Sequence, residues 1–411
     1  MKYIVLVGDG MADRPLEELG GKTCLQAADT PNMDKLASSG QVGMVRTIPE
    51  ELHPGSDVAN LSILGYNPLI YYTGRAPLEA ASLRVDLSSQ DVAYRCNLVT
   101  LTIKDNGAIM EDYSAGHISS EEARLLIEDI DKQLGNDNLR FYAGIGYRHI
   151  MVWKNGKEDV ECVPPHDITG KPVVDYLPVG DGSDVLRRIM ADSSVVLKMH
   201  PVNIERRENK RREANGVWLW GQGRVPQLPA FIKKYGLKGG IISAVDLTKG
   251  IGIYAGFKII DVPGATGYLD TNYEGKADYA VEALNNLDFV YLHVESPDEA
   301  GHNGDIDAKI RAIEDFDHRV VRKVTEDMEQ FPEYRILLLT DHPTPIGVRT
   351  HTREPVPFVI YDSRGSKVEG RRSRVEGRGS GIKYDEAINE IDSILRFEEG
   401  YRLMDYFIKG K

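Results

Sequence analysis

Six carboxylate and imidazole side chains cluster around the ends of apolar runs. Asp9 follows the run 3–7, Asp298 follows 289–295, and Asp341 follows 336–340. In a parallel α/β sheet, ligands bind beyond the carboxyl ends of the strands. The three carboxylates are therefore expected to converge on one edge. A single strand-end Asp is usually only a helix N-cap. Histidines that accompany Asp298 and Asp341 make that reading harder to keep. His302 lies four residues after Asp298 in SPDEAGH, on the same face of a helical turn. His342 adjoins Asp341 in TDHPTP, and His351 follows in RTHT. Mixed carboxylate and imidazole donors suit Mn, Zn or a similar divalent ion. Six groups exceed the need of one metal with an open position. Two ions about 3.5–4 Å apart can clamp the oxygens of an in-line phosphoryl displacement.

Ser56 is the candidate nucleophile. Pro54 and Gly55 break the chain before it, and a helical pattern follows in SDVANLSILGY. A serine there is a good plain N-cap. The same position also suits chemistry, because backbone N–H groups at a helix start stabilise an alkoxide or a phosphate. A metal on the hydroxyl would lower its pKa and make it a nucleophile.

Residues so far apart need a scaffold to unite them. The run 3–7 with its Gly-Asp-Gly turn predicts a buried first strand. A helix is expected over 30–39 and a strand over 42–48. Apolar runs at 240–245, 289–295 and 335–340 read as buried parallel strands. Ile310, Ile313, Phe316, Val320 and Val324 repeat at helical spacing. This alternation predicts an α/β core with a mainly parallel sheet and helices on both faces. The middle reads as an insertion, with strands at 94–103 and 150–153. Its one well-marked helix has a capping box of Ser119 and Glu122, an apolar face of Ala123, Ile127, Ile130 and Leu134, and Gly135 as its end. The expected organisation is a catalytic domain of residues 1–74 and 211–411, carrying a smaller α/β or α+β domain of residues 75–210. The stretch 363–380, rich in Gly, Arg and Ser, reads as a solvated loop. A basic lid over a phosphate site is the sharper alternative.

The chain's 411 residues suffice for two domains. Its 41% hydrophobic and 27% charged residues are those of an ordinary globular protein. No apolar run approaches the roughly 20 residues of a membrane span. The opening MKYIVLVGDG lacks the long h-region and small-residue cleavage site of a signal peptide. Cys24, Cys96 and Cys162 are widely spaced and form no disulfide or zinc-knuckle pattern, so a reducing cytoplasm is expected. The net charge of −13 argues against nucleic-acid binding. It also requires metals or arginines to reverse the field locally around any phosphorylated substrate.

GDGMADRP, TPNMDKLASSG, PGSDVANLSILGY, PDEAGHNGD and TDHPTP with THT span nearly the whole chain. Together they resemble the cofactor-independent phosphoglycerate mutases of the archaeal type, within the alkaline phosphatase superfamily. The resemblance implies an alkaline-phosphatase-like fold and a transiently phosphorylated Ser56. It implies one metal on Asp9, Ser56, Asp341 and His342, and another on Asp298, His302 and His351. Mn²⁺ is the expected ion, with Mg²⁺, Co²⁺ or Zn²⁺ as alternatives. The inserted domain is expected to supply substrate-binding groups. The reaction implied moves a phosphoryl group between the 3- and 2-hydroxyls of glycerate without 2,3-bisphosphoglycerate.

Such a small phosphorylated substrate carries two anionic groups, which favour bidentate arginines. The candidates are Arg148 in GYRH, Arg75 in YTGRAP, and Arg206 or Arg207 in ERRENK. Asp112 and His117 in EDYSAGH are candidates for binding hydroxyls or moving protons, and Lys249 for neutralising phosphate charge. The motifs depart from the archaeal type in two places. GDG stands at 8–10 where LDG is usual. GSDVANLS stands at 55–62 where GSDTAHLS is usual, so Asn60 replaces an expected histidine. The departures point to a bacterial-looking branch proposed to include homoserine kinases. A homoserine kinase, or another phosphotransferase or phosphatase using the same metals, is the alternative function. The sequence holds no P-loop and no protein-kinase motif set.

Overall fold

The N-terminal apolar run becomes the strand around which the larger part of the molecule is built. The computed structural model describes residues 1–104, 107–366 and 381–410. It divides into one unit of Met1–Tyr72 with Gln227–Lys411 and a second of Thr73–Pro226. Among the described residues the first unit holds a sheet of eight strands. They are β1 (Lys2–Gly8), β2 (Gln41–Val45), β3 (Gly239–Ile242), β4 (Lys258–Ile259), β5 (Phe289–Val294), β6 (Tyr334–Leu339), β7 (Val356–Asp362) and β8 (Leu395–Phe397). Their spatial order is β4-β3-β5-β1-β6-β7-β2-β8. β7 is antiparallel to both its neighbours, and the other pairs are parallel. The fold is thus α/β with a mainly parallel sheet. Ile4, Val5, Leu6 and Val7 are fully buried because helices cover both faces, which is why this strand shows no polar alternation.

Register explains the convergence anticipated from the sequence. Val7 pairs with Leu339, and Asp9 and Asp341 each stand two residues further on. On the other side Val7 pairs with His293, and the Asp9 N–H bonds to the Val294 carbonyl at 2.9 Å. The three acidic strand ends therefore belong to β5, β1 and β6, adjacent at the middle of the sheet.

Three helices matter to the site: α1 (Ser56–Ile63), α2 (Ser296–Asn303) and α3 (Ile306–Asp315). The helical spacing seen over 310–324 does not make one regular α-helix. A π-helical stretch, Phe316–Val321, separates α3 from the α-helical turn Arg322–Asp327. Phe316, Val320 and Val324 nevertheless all stay buried.

In the second unit the strand Val92–Lys104 pairs antiparallel with Gly107–Asp112, Arg148–Trp153 and Gly216–Gly223. Gly216–Gly223 lies beyond the boundary expected at residue 210. Its Trp218 and Trp220 join this unit's own core, which ties the segment here. The helix Ser120–Leu134 has Ser119 as its N-cap, accepting from the Glu122 N–H at 3.2 Å. The reciprocal half of the expected capping box does not form. The Glu122 carboxylate is drawn instead to Arg206 at 2.6 Å and Arg211 at 3.0 Å. Among the described residues no helix is long and apolar enough to cross a membrane. Residues 367–380, the bulk of the Gly/Arg/Ser-rich stretch, lie outside the described residues.

Candidate active site

Ser56 is the first residue of α1, and the cap position belongs to Gly55. Its side chain is therefore not spent on capping. The hydroxyl lies 3.0 Å from His342 Nε2. The surrounding bonds fix which ring nitrogen of His342 carries the proton. Thr344 Oγ1 donates to Asp298 Oδ1, so its oxygen accepts from His342 Nδ1 at 3.3 Å. That leaves the Nε2 lone pair facing Ser56, and the Ser56 hydroxyl donates to it.

The other donors gather around this pair. His342 Nε2 is 3.5 Å from both Asp9 Oδ1 and Asp341 Oδ2. Beside it, His302 Nε2 is 3.2 Å from Asp298 Oδ2 and 3.0 Å from His351 Nε2, while His351 Nε2 is 3.6 Å from Asp298 Oδ1. The His342 and His351 rings, 4.3 Å apart, join the two groups. His302 Nδ1 donates to the Arg349 carbonyl at 3.0 Å, which turns its Nε2 toward Asp298. A backbone carbonyl on the far nitrogen is the usual support of a metal-binding imidazole.

The electrostatics of these groups suit cations. Asp9 is held well above the ordinary carboxylate range, first by burial and then by the charges of Asp341 and Asp298. Burial likewise raises Asp341. Burial holds His342 well below its usual value and His293 at about 4, so both rings are neutral. Burial opposes the charge on His302 too, but the bond and charge of Asp298 together with the Arg349 carbonyl outweigh it and lift the ring to about 9. Asp9 Oδ1 and His293 Nε2 are buried without a hydrogen-bond partner, although the Nε2 is only 3.1 Å from Asp9 Oδ2. Such orphaned atoms are costly unless something neutralises them. Asp9, His293 and Asp341 each offer a donor within 4.8 Å of the others, and so do Asp298, His342 and His351. Carboxylates with neutral imidazoles fit divalent metal ions.

Local sequence makes the arrangement. Gly10 sits at φ +63, and a Cβ there would fall 2.7 Å from both Asp298 Oδ1 and Thr344 Oγ1. Its N–H donates to Asp341 Oδ1 at 3.1 Å, and the Met11 N–H to Thr340 Oγ1 at 3.0 Å. The turn after β1 is thereby sewn to the turn after β6. Lys309 of α3 adds a buried clamp. Its ammonium donates to Asp13 Oδ2 and the Thr344 carbonyl at 2.8 Å each, and to the Ala12 carbonyl at 3.2 Å. Pro297 lies in the first turn of α2, which carries Asp298 and His302 one turn apart on one face.

The substrate candidates fare unevenly. Arg206 is buried and donates to the Arg212 carbonyl at 2.6 Å, Glu122 at 2.6 Å and the Ala115 carbonyl at 2.7 Å. The last two bonds tie it to the 112–122 loop and so give it a structural task there. Arg207 pairs with Glu213 at the surface. Asp112 accepts from Ser114 twice, from Gly116 and from Arg212, so it organises that loop rather than offering itself to a hydroxyl. His117 is exposed in a stretch where Ala115, Gly116 and His117 all take positive φ. Lys249 pairs with Asp261 at 3.2 Å. Arg148 is exposed against the Tyr147 ring, and Arg75 lies 3.7 Å from Glu79.

Sequence reasoning missed His293, Asp13, Lys309 and Arg95. His293 left one trace, a lone imidazole near the end of an apolar run. Lys309 left none, because a lysine on an amphipathic helix reads as solvated until the fold buries it. Arg95 is buried 3.0 Å from Glu79, with its guanidinium 4.3 Å from the centre of the Trp220 ring.

Residues 37–203 match the family model described as 2,3-bisphosphoglycerate-independent phosphoglycerate mutase. A probable 2,3-bisphosphoglycerate-independent phosphoglycerate mutase of Geobacter sulfurreducens is 52% identical over 99% of this chain and 100% of its own. The 2,3-bisphosphoglycerate-independent phosphoglycerate mutase of Methanosarcina barkeri is 57% identical over 88% of this chain and 90% of its own. Among solved structures, the cofactor-independent phosphoglycerate mutase of Thermoplasma acidophilum is 28% identical, with a TM-score of 0.63 over 100% of this chain and 99% of that one. Full-length identity at this level is decisive: the chain belongs to the 2,3-bisphosphoglycerate-independent phosphoglycerate mutase family.

Proposed function

We propose that this protein interconverts 3-phosphoglycerate and 2-phosphoglycerate through a phosphoserine at Ser56. The observation that carries the reading is the Ser56 hydroxyl, free of capping duty and 3.0 Å from His342 Nε2 amid both donor groups. Family membership supplies the substrate class. Asp9, Ser56, Asp341 and His342 would hold one divalent cation and Asp298, His302 and His351 the other, Mn²⁺ first among the candidates. Bound there, the cations would stabilise phosphoryl charge and lower the pKa of the serine hydroxyl.

The chain's own groups account for the rest. In the first half-reaction Ser56 Oγ attacks the phosphorus, the bond from phosphorus to the glycerate 3-oxygen breaks, and the serine proton ends on the freed 3-hydroxyl. In the second half-reaction the 2-hydroxyl attacks the phosphoserine, the Ser56 bond breaks, and the proton returns to serine. No nucleotide is needed. The start of α1, where Ser56 sits, favours the negative charge of the transferred group. Arg148 and Arg75 remain the candidates for the substrate's anionic groups.

The test is direct. Purified protein with Mn²⁺ should convert 3-phosphoglycerate to 2-phosphoglycerate with neither 2,3-bisphosphoglycerate nor ATP. Ser56→Ala should abolish conversion while its circular dichroism spectrum stays unchanged. ATP-dependent phosphorylation of homoserine without mutase turnover would transfer the assignment to the kinase alternative. Full turnover by Ser56→Ala would rule out the phosphoenzyme.

A further inference from the structure

Asn60, the residue standing where a histidine was expected, does not face outward toward a substrate. It is fully buried, as are its neighbours Val58 and Ala59. Its amide nitrogen donates to the Ser56 carbonyl and to Asp341 Oδ2, each at 2.8 Å. Both partners can only accept, so the amide orientation is fixed and Oδ1 must point the other way. There it accepts the hydroxyl proton of Tyr291, a fully buried residue of β5. Every hydrogen-bonding atom of the Asn60 side chain is thereby used.

The two oxygens of Asp341 are treated differently. Oδ1 accepts from the Gly10 N–H at 3.1 Å and the His342 N–H at 2.9 Å. Oδ2 faces His342 Nε2 at 3.5 Å and is the oxygen left for the donor group. Asn60 occupies one lone-pair direction of Oδ2 and so sets the plane of the carboxylate. The same amide grips the backbone of the residue that carries the Ser56 hydroxyl. One side chain thus links the nucleophile's backbone to the carboxylate beside it, and Tyr291 keeps that side chain from turning.

We propose that Asn60 and Tyr291 form a positioning pair that orients Asp341 Oδ2 toward the cation and holds Ser56 in register with it. The inference rests on the two-cation reading of the site. It places the departure from the archaeal motif in the support of the metal site and not in substrate choice. An imidazole at position 60 could meet the same two demands, a donor toward Asp341 and an acceptor for Tyr291.

The experiment uses the full chain stripped of metal and titrated with Mn²⁺ by calorimetry, beside kcat and KM for 3-phosphoglycerate. Tyr291→Phe removes one oxygen, and Asn60→Leu removes the whole amide. Each should weaken Mn²⁺ binding at one of two sites about 10–100-fold and lower kcat, with KM changed less than about twofold. Asn60→His should restore both readouts to within a few-fold. Should Asn60→Leu fail to fold, Tyr291→Phe decides alone. Wild-type Mn²⁺ affinity and kcat in folded Tyr291→Phe would overturn the pair, as would equal losses at both metal sites. Metal affinity is read without substrate, so absent turnover in the wild-type protein would sink the mutase reading while the affinity ratios still judge the pair.

Discussion

Replacing Lys309 with methionine isolates the clamp beneath the metal-bearing turns. Methionine keeps an unbranched apolar stem of similar reach and deletes only the ammonium. The wild-type ammonium has three protons and three acceptors, at 2.8, 2.8 and 3.2 Å, with no exposure to solvent. Without it the Asp13 carboxylate keeps the Arg14 N–H at 2.8 Å and the Ile346 N–H at 3.2 Å, but has no counter-charge. Breaking a buried ion pair from one side typically costs about 3–5 kcal/mol. For a unit of this size, each kcal/mol lowers Tm by roughly 2–4 °C, so Lys309→Met should melt roughly 6–20 °C below wild type. The matched measurement is a double-mutant cycle in urea. Asp13→Asn removes the stranded charge, so Asp13→Asn/Lys309→Met should be more stable than Lys309→Met alone. If the two losses simply added, or if Lys309→Met cost less than about 1 kcal/mol, the buried charge pair would not be what holds these turns together.

Three further outcomes are expected. Chelation with EDTA should abolish turnover and lower Tm, and Mn²⁺ should restore both; saturation at about 1,000 times Kd is worth about 4 kcal/mol, and an unchanged Tm would count against cations held by Asp9, Asp341 and Asp298. Gly10→Ala should cost about 1–2 kcal/mol from its left-handed backbone alone. Its Cβ would also press on Asp298 Oδ1, so Mn²⁺ affinity should fall too, and unchanged affinity would remove the argument that this turn shapes the site. Burial pushes the Glu386 carboxyl up to about 7, and the protonated form is therefore favoured in the folded state. The stability it allows is present below its unfolded value of 4.5 and is lost as pH rises toward 7, by at most about 3 kcal/mol. Glu386→Gln should accordingly stabilise the protein at pH 8 and hardly at pH 5, and an equal effect at both would refute the shift.

The sequence by itself determined the parts that depend on short range. Apolar runs marked β1, β5 and β6 to within a residue or two, because strands buried on both faces carry no competing pattern. Asp9, Asp298 and Asp341 could be read as neighbours because a parallel sheet brings strand ends to one edge. The spacing of Asp298 and His302 alone foretold a shared helical face, and Pro54-Gly55 foretold a helix starting at Ser56. Tertiary structure decided whatever depended on what lies opposite a side chain. It turned Lys309 from a surface charge into a buried clamp, and it committed Arg206 and Asp112 to the build of the 112–122 loop. It carried Gly216–Gly223 into the second unit through pairing with a strand more than a hundred residues earlier. Asn60 shows the division most plainly. In the sequence it was a departure from a motif beside the reactive serine. Only the approach of β5 and β6 to α1 gave its amide the Asp341 carboxylate and the Tyr291 phenol, and so a task.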